Sequence, residues 1–112
     1  MITRITLFIL LANLTAAAQP QLVRDIAPGT TSSISSNSLF SRLTALGNTV
    51  LFKANDGVTG QELWRSDGTP DGTELIKDIY AGTGQDGVSD FFIVFDSILY
   101  FQGRNSDYGA EL

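Results

Sequence analysis

The chain has no histidine and no cysteine in its 112 residues, and those two absences remove a large share of enzyme chemistry. Without an imidazole or a thiol there is no Ser-His-Asp triad, no cysteine nucleophile and no nitrogen or sulfur ligand set for zinc. Nor can a disulfide make up for a small core. Positive charge is scarce: 7 Lys and Arg stand against 12 Asp and Glu, a net charge of −5. That balance argues against nucleic acid and against charge-driven binding to anionic membranes. Long apolar runs are also missing. A membrane-spanning helix needs about 20 apolar residues, and the stretch from Ile5 to Leu14 is short and broken by Thr6 and Asn13.

The first residues read as an export signal. Met1-Ile2-Thr3-Arg4 is a short basic start, the apolar stretch follows, and Ala16-Ala17-Ala18 supplies small residues before Gln19-Pro20. Together these predict a Sec-type signal peptide over residues 1–18 and an extracellular or cell-surface location. Cleavage after Ala18 removes Arg4, which leaves 6 basic against 12 acidic residues and a net charge of −6. The sequon Asn13-Leu14-Thr15 lies within that signal and carries no meaning for the processed chain.

What the remainder has is internal repetition. Val50 to Leu63 recurs as Leu99 to Leu112: Phe52 and Phe101, Gly60 and Gly109, Glu62 and Glu111, Leu63 and Leu112 are each 49 apart (101 − 52 = 49). A period of that size marks propellers and solenoids. A second match joins Leu22-Val23-Arg24-Asp25-Ile26 to Leu75-Ile76-Lys77-Asp78-Ile79, 53 apart (75 − 22 = 53). The serine-rich linker from Ser32 to Ser41 absorbs the extra residues, because insertions in connections cost little. The second copy stops one residue before the partner of Trp64, so the chain reads as the beginning of a longer array.

Strand and turn signals divide the chain finely. Arg42 to Leu46, the pair Gly47-Asn48 and Thr49 to Ala54 predict a tight hairpin. Asn55 to Gly60 is a loop dense in residues that tolerate positive φ. Gln61 to Ser66 is a third strand, Asp67 to Gly72 a turn region, and Thr73 to Ile79 a fourth strand. The cycle restarts with Phe91 to Phe95, a hairpin at Asp96-Ser97, and Ile98 to Gly103. Five successive apolar residues at Phe91 to Phe95 predict a strand buried on both faces. The expected organisation is a lone strand at Leu22 to Ile26 plus linker over 19–41, a complete four-strand unit over 42–79 and a truncated second unit over 80–112. The fold class is all-β, with antiparallel four-stranded units of a β-propeller-like array, incomplete in this chain. A lone strand has a use in such a ring, where it completes a last blade and removes free edges.

Glu62-Leu63-Trp64-Arg65-Ser66-Asp67-Gly68-Thr69, followed by Gly72-Thr73 and Lys77-Asp78-Ile79, resembles the bacterial ELWxxDGT repeat. The upstream Asn55-Asp56-Gly57 and Gly60 fall in their expected order, and the resemblance spans Leu22 to Leu112. It implies a large exported or surface protein built from several such units. It implies no reaction.

The signature residues have competing uses. Asp67-Gly68 and Asp71-Gly72 suit turns, aspartate capping its own backbone and glycine taking the left-handed conformation. Asp56, Asp67 and Asp71 are also calcium candidates, since carboxylates in glycine-rich loops supply the oxygens a hard cation wants, although the alternating EF-hand pattern is missing. Trp64 either packs between neighbouring units or offers a platform for a sugar ring. Glu62, Asp67 and Glu74 are available as a carboxylate pair for glycoside hydrolysis, but no spacing selects two of them. Glu62 recurs as Glu111, which suits a structural residue better than a catalytic one.

These readings predict a non-catalytic secreted or cell-surface module, a structural or binding part of a larger exoprotein. Its expected partners are an unidentified protein or glycan, further repeats, or another copy of itself, with no cofactor beyond possible calcium. The alternative is the N-terminal portion of a propeller hydrolase acting on glycans, with its catalytic residues beyond Leu112.

Overall fold

The computed structural model describes residues 19–29, 31–34 and 43–112. The expected signal peptide, most of the serine-rich linker and Arg42 lie outside the described residues. Every regular element among those described is a strand: β1 (Thr44–Leu46), β2 (Thr49–Asn55), β3 (Gln61–Ser66), β4 (Glu74–Lys77), β5 (Val88–Phe95), β6 (Ile98–Asn105) and β7 (Gly109–Glu111). They form two antiparallel sheets, a four-stranded one in the order β1-β2-β3-β4 and a three-stranded one in the order β5-β6-β7. The protein is therefore all-β, and its two sheets are open. No helix among the described residues is long and apolar enough to cross a membrane.

The two sheets share a register. Thr44 pairs with Leu51, Ala45 with Val50 and Leu46 with Thr49; 49 residues on, Ile93 pairs with Tyr100, Val94 with Leu99 and Phe95 with Ile98. Ala54 opposite Glu62 reappears as Gly103 opposite Glu111. The hairpins that fix these registers use different chemistry. Gly47 turns the first at φ 61, whereas Asp96 and Ser97 both adopt positive φ (51 and 59) in the second, the pattern of a two-residue type I′ turn made without glycine.

Each face of the first sheet has its own cover. Phe52, Ala54 and Trp64 form a buried cluster on one face, with Ile26 and Leu75 packed against it. Leu51 and Leu63 are buried on the other, and Lys53, on that same face opposite Leu63, pairs with Asp90 of β5. That ion pair shows that the second face meets the second sheet. Val88, at the start of β5, is buried in the contact, and Phe92 stands edge-on to Phe101, ring centroids 6.3 Å apart.

Three expectations need correcting. Leu22 to Ile26 forms no strand; it runs beside the first sheet, held by Ile26 in the core and by the Arg24 guanidinium, which donates to the carbonyls of Thr73 (2.5 Å) and Pro70 (3.3 Å). Side-chain anchors replace a backbone ladder there. Phe91 to Phe95 lies within a strand but is not buried on both faces: Phe91, Ile93 and Phe95 are 73%, 62% and 69% exposed, because nothing among the described residues covers the outer face of the second sheet. The fourth strand is shorter than Thr73 to Ile79, with Thr73 drawn into the preceding turn and Asp78-Ile79 into the connection that follows.

Candidate functional site

Glu62 is the most deeply buried large side chain described, with no solvent exposure. It sits on β3 two residues from Trp64, on the core face. No cation faces it. Its carboxylate instead accepts backbone N–H groups from the connection between the sheets: Ile79 at 2.9 Å, Gly87 at 3.1 Å and Tyr80 at 3.5 Å. A buried carboxylate must be satisfied by donors, and here the donors are the amides of the next segment of chain. Burial pushes its carboxyl above the usual range, and nearby Asp78 adds to the effect; the Ile79, Tyr80 and Gly87 amides offset only part.

Two glycines make this arrangement possible. A Cβ on Gly87 would lie 2.5 Å from the Glu62 carboxylate and 2.8 Å from the Tyr80 nitrogen, and one on Gly60 would lie 1.9 Å from the Gln85 carbonyl oxygen. Close approach is the requirement at both places, of the Glu62 carboxylate and the Tyr80 backbone at Gly87 and of the Gln85 backbone at Gly60. Further bonds seal the seam: Gly87 N–H also donates to Gln61 O (3.0 Å), Gly84 N–H to Val58 O (3.1 Å), and Gln61 N–H to the Asp86 carboxylate (2.9 Å).

The Asp-Gly-Thr segment is a closed turn network. Asp67 accepts from Thr69 N–H (2.9 Å) and Thr69 hydroxyl (2.7 Å), and those two bonds, the hydroxyl's first, hold its carboxyl below the usual range. Thr69 Oγ1 in turn accepts Gly72 N–H (2.9 Å), while buried Thr73 donates its hydroxyl to Thr69 O (2.7 Å) and lies 2.7 Å from Ser66 Oγ. Gly68 turns at φ 92. At Gly72, a Cβ would fall on the Asp67 carboxylate, 1.9 Å from Oδ1.

Asp56 behaves likewise. Its Oδ1 accepts Val58 N–H (2.8 Å), Thr59 N–H (2.8 Å) and Thr59 hydroxyl (3.0 Å). Burial raises its carboxyl, but the Thr59 and Val58 bonds outweigh that and leave it below the usual range. Forty-nine residues on, Asn105 Oδ1 accepts Asp107 N–H (3.0 Å) and Tyr108 N–H (2.9 Å), the same offsets of two and three. An uncharged amide thus builds the same turn. Asp71, the third calcium candidate, is exposed in the turn. Among the described residues no three acidic side chains come together in a way that suits a cation.

The remaining candidates are structural in placement. Trp64 is 6% exposed and packed against Phe52 and Ala54, so its ring offers no face to a sugar. Leu63 is buried on the opposite face, and Lys77 pairs with it across the sheet. Asp78 and Ile79 are half-buried where the chain leaves β4. Glu74 faces Arg65 on the face away from Glu62, with Arg65 Nε donating to it at 2.8 Å, so the three carboxylates open to glycoside chemistry do not share one site. Sequence reasoning found Glu62 but missed Gly87 and Asp86, which have no counterpart within the repeated segment. Their signal was only the glycine-rich run after Ala81.

No protein-family model, curated protein or solved structure matches the chain.

Proposed function

We propose that this chain is a non-catalytic module of an exported bacterial repeat protein, built from ELWxxDGT-type units in a β-propeller-like array and serving as a structural or binding part of a larger exoprotein. The observation that carries the reading is the fate of the signature. Glu62, Leu63, Trp64, Asp67, Thr69, Gly72 and Thr73 are all committed to burial or to internal hydrogen bonds, and the ladders of the two sheets coincide at a shift of 49. Residues spent in this way recur because each unit needs them to close its own turns and core, and Glu62 to meet the segment that follows, as repeat architectures require. A protein or a glycan is the partner class such a surface would serve.

The test sets structure against catalysis at Glu62. Hydrolysis of a panel of chromogenic glycosides and polysaccharides by the chain should be no faster than buffer alone. Hydrolysis that disappears in Glu62→Gln while the folded spectrum and melting temperature stay unchanged would replace the module by the glycan hydrolase. Export has its own readout: N-terminal sequencing of material recovered outside the cell should begin at Gln19, and a start at Met1 contradicts it.

A further inference from the structure

Aspartate followed by glycine occurs four times, at Asp56-Gly57, Asp67-Gly68, Asp71-Gly72 and Asp86-Gly87. Each such step can rearrange its own backbone, because a following glycine leaves the nitrogen open to the aspartate side chain. The fold treats the four differently. Asp56 Oδ1 accepts the Val58 and Thr59 amides and the Thr59 hydroxyl, and Asp67 Oδ1 accepts the Thr69 amide and hydroxyl. Asp86 Oδ1 accepts the Gln61 amide, and Gly87 beside it is buried. Asp71 is exposed, and no donor among the described residues reaches its carboxylate. The glycine nitrogens do not separate the sites, since all four donate: Gly57 to Asn55 Oδ1 (2.7 Å), Gly68 to Ser66 Oγ (3.1 Å), Gly72 to Thr69 Oγ1 (2.9 Å) and Gly87 to Gln61 O (3.0 Å). The carboxyl is what differs.

We infer that Asp71-Gly72 is the step at which this chain converts spontaneously from aspartate to isoaspartate, and that conversion there lets go of the N-terminal segment. The Gly72 nitrogen attacks Cγ of the protonated Asp71 carboxyl; an N–Cγ bond forms, a Cγ–O bond breaks, and the hydroxyl leaves with the nitrogen's proton as water. Water then adds to the Asp71 main-chain carbonyl carbon of the cyclic imide and breaks its bond to nitrogen. Gly72 is left attached through Cγ, and the α-carboxylate is free. One water leaves and one enters, and nothing is oxidised or reduced. At Asp56, Asp67 and Asp86 the carboxyl must first break the bonds that hold it, and bonds to a carboxylate also disfavour the neutral acid that reacts.

The consequence follows from where Asp71 stands. Asp71 and Gly72 are the central residues of a turn closed by Thr73 N–H on Pro70 O (3.4 Å), and the Arg24 guanidinium donates to the carbonyls of the same two residues. The new linkage lengthens the main chain by one atom between them. A turn too long to present both carbonyls releases Arg24, and with it Ile26, which packs against the cluster of Phe52, Ala54 and Trp64.

The test ages the full chain in neutral buffer, folded or unfolded in urea. Isoaspartate is counted by methyl transfer from an isoaspartyl methyltransferase and placed by tandem mass spectrometry of the tryptic peptide from Ser66 to Lys77 and its neighbours. In the folded chain it should form at Asp71 at least about 5-fold faster than at the other three steps, the factor set by one hydrogen bond broken beforehand. In urea the four should convert at similar rates. Asp71→Glu, whose longer side chain disfavours the ring, should remove most of the methyl acceptance. Trp64 is the only tryptophan and reports the release: its emission should move to longer wavelength as isoaspartate accumulates in the native chain and stay fixed in Asp71→Glu. A folded chain that converts first at another aspartate, or whose Asp71 leads equally in urea, would overturn the site. Conversion at Asp71 with unmoved Trp64 emission would overturn the release.

Discussion

Leu51 and Tyr100 stand at one position of two sheets that share a register, yet Leu51 is 5% exposed and Tyr100 39%. The same contrast runs through the pair Glu62 and Glu111. Glu62 binds three amides of the chain that follows β3 and β4, and has no exposure; Glu111, on β7, is exposed. The strand ladders are alike, so backbone pairing is not what separates the sheets. Among the described residues both faces of the first sheet are covered, whereas the second sheet leaves Phe91, Ile93, Phe95, Ile98 and Tyr100 exposed on one face. The first sheet acquires its core from the segments beside it, and Glu62 is the residue that ties it to the connection that follows.

The largest effect should come from removing that tie. Glu62→Ala leaves the Ile79 and Gly87 amides without an acceptor and opens a void, which should lower stability by about 3 kcal/mol. Glu111→Ala should stay within about 0.5 kcal/mol, as exposed substitutions do. Urea midpoints of the two variants measure the difference, and equal losses would mean that Glu62 contributes nothing special as a tie.

A slightly smaller contrast is expected at the paired glycines. Gly60 and Gly109 both adopt positive φ, 88 and 70, so alanine at either costs about 1 kcal/mol of backbone strain. At Gly60 the new Cβ would also meet the Gln85 backbone, whereas at Gly109 it meets nothing within 4 Å. Gly60→Ala should therefore cost about 3 kcal/mol in total. Matching losses in thermal unfolding would show that the seam between the 55–60 loop and the 80–87 connection yields readily.

The pH response of Glu62 gives a sharper and smaller signal. Its folded carboxyl is held above the usual range by burial, so the folded chain takes up a proton more readily than the unfolded chain. The stability linked to this group is fully present below its unfolded value and is lost as pH rises through the folded value. Asp56 and Asp67 are lowered and act in the opposite sense: their contribution is present above the ordinary aspartate value and is lost as pH falls through the folded ones. Relative to Glu62→Gln, the native chain should therefore gain in melting temperature between about pH 7 and about pH 5. A difference that does not vary over that range would count against a buried, cation-free carboxylate.

The smallest effect is expected at Asp56. Asn105 makes the equivalent turn with an amide, so Asp56→Asn should change stability by no more than about 0.5 kcal/mol. Calcium should raise the melting temperature of neither form. A calcium-dependent rise in the native chain, absent from Asp56→Asn and reversed by chelator, would turn the loop into a metal site.

Much of this was legible in the chain. The Gln61 to Ser66 strand has the expected limits, and both hairpins turn at the expected pairs, Gly47-Asn48 and Asp96-Ser97, because alternation and turn chemistry act over a few residues. Leu22 to Ile26 was misread because its resemblance to Leu75 to Ile79 describes side chains, whereas a strand also needs a partner for its backbone. Phe91 to Phe95 was misread for a related reason: an apolar run states what a strand prefers to bury against, and burial depends on whether something arrives.

The sequence by itself determined the all-β class, the turns and the shared register, since period-2 patterning and positive-φ residues bind each strand to its sequence neighbours. Only the tertiary structure decided which carboxylate is buried and which apolar face is left open. Glu62 and Glu111 are the same residue in the same local pattern, and their different states depend on amides and faces supplied from elsewhere in the chain, at distances that no local pattern encodes.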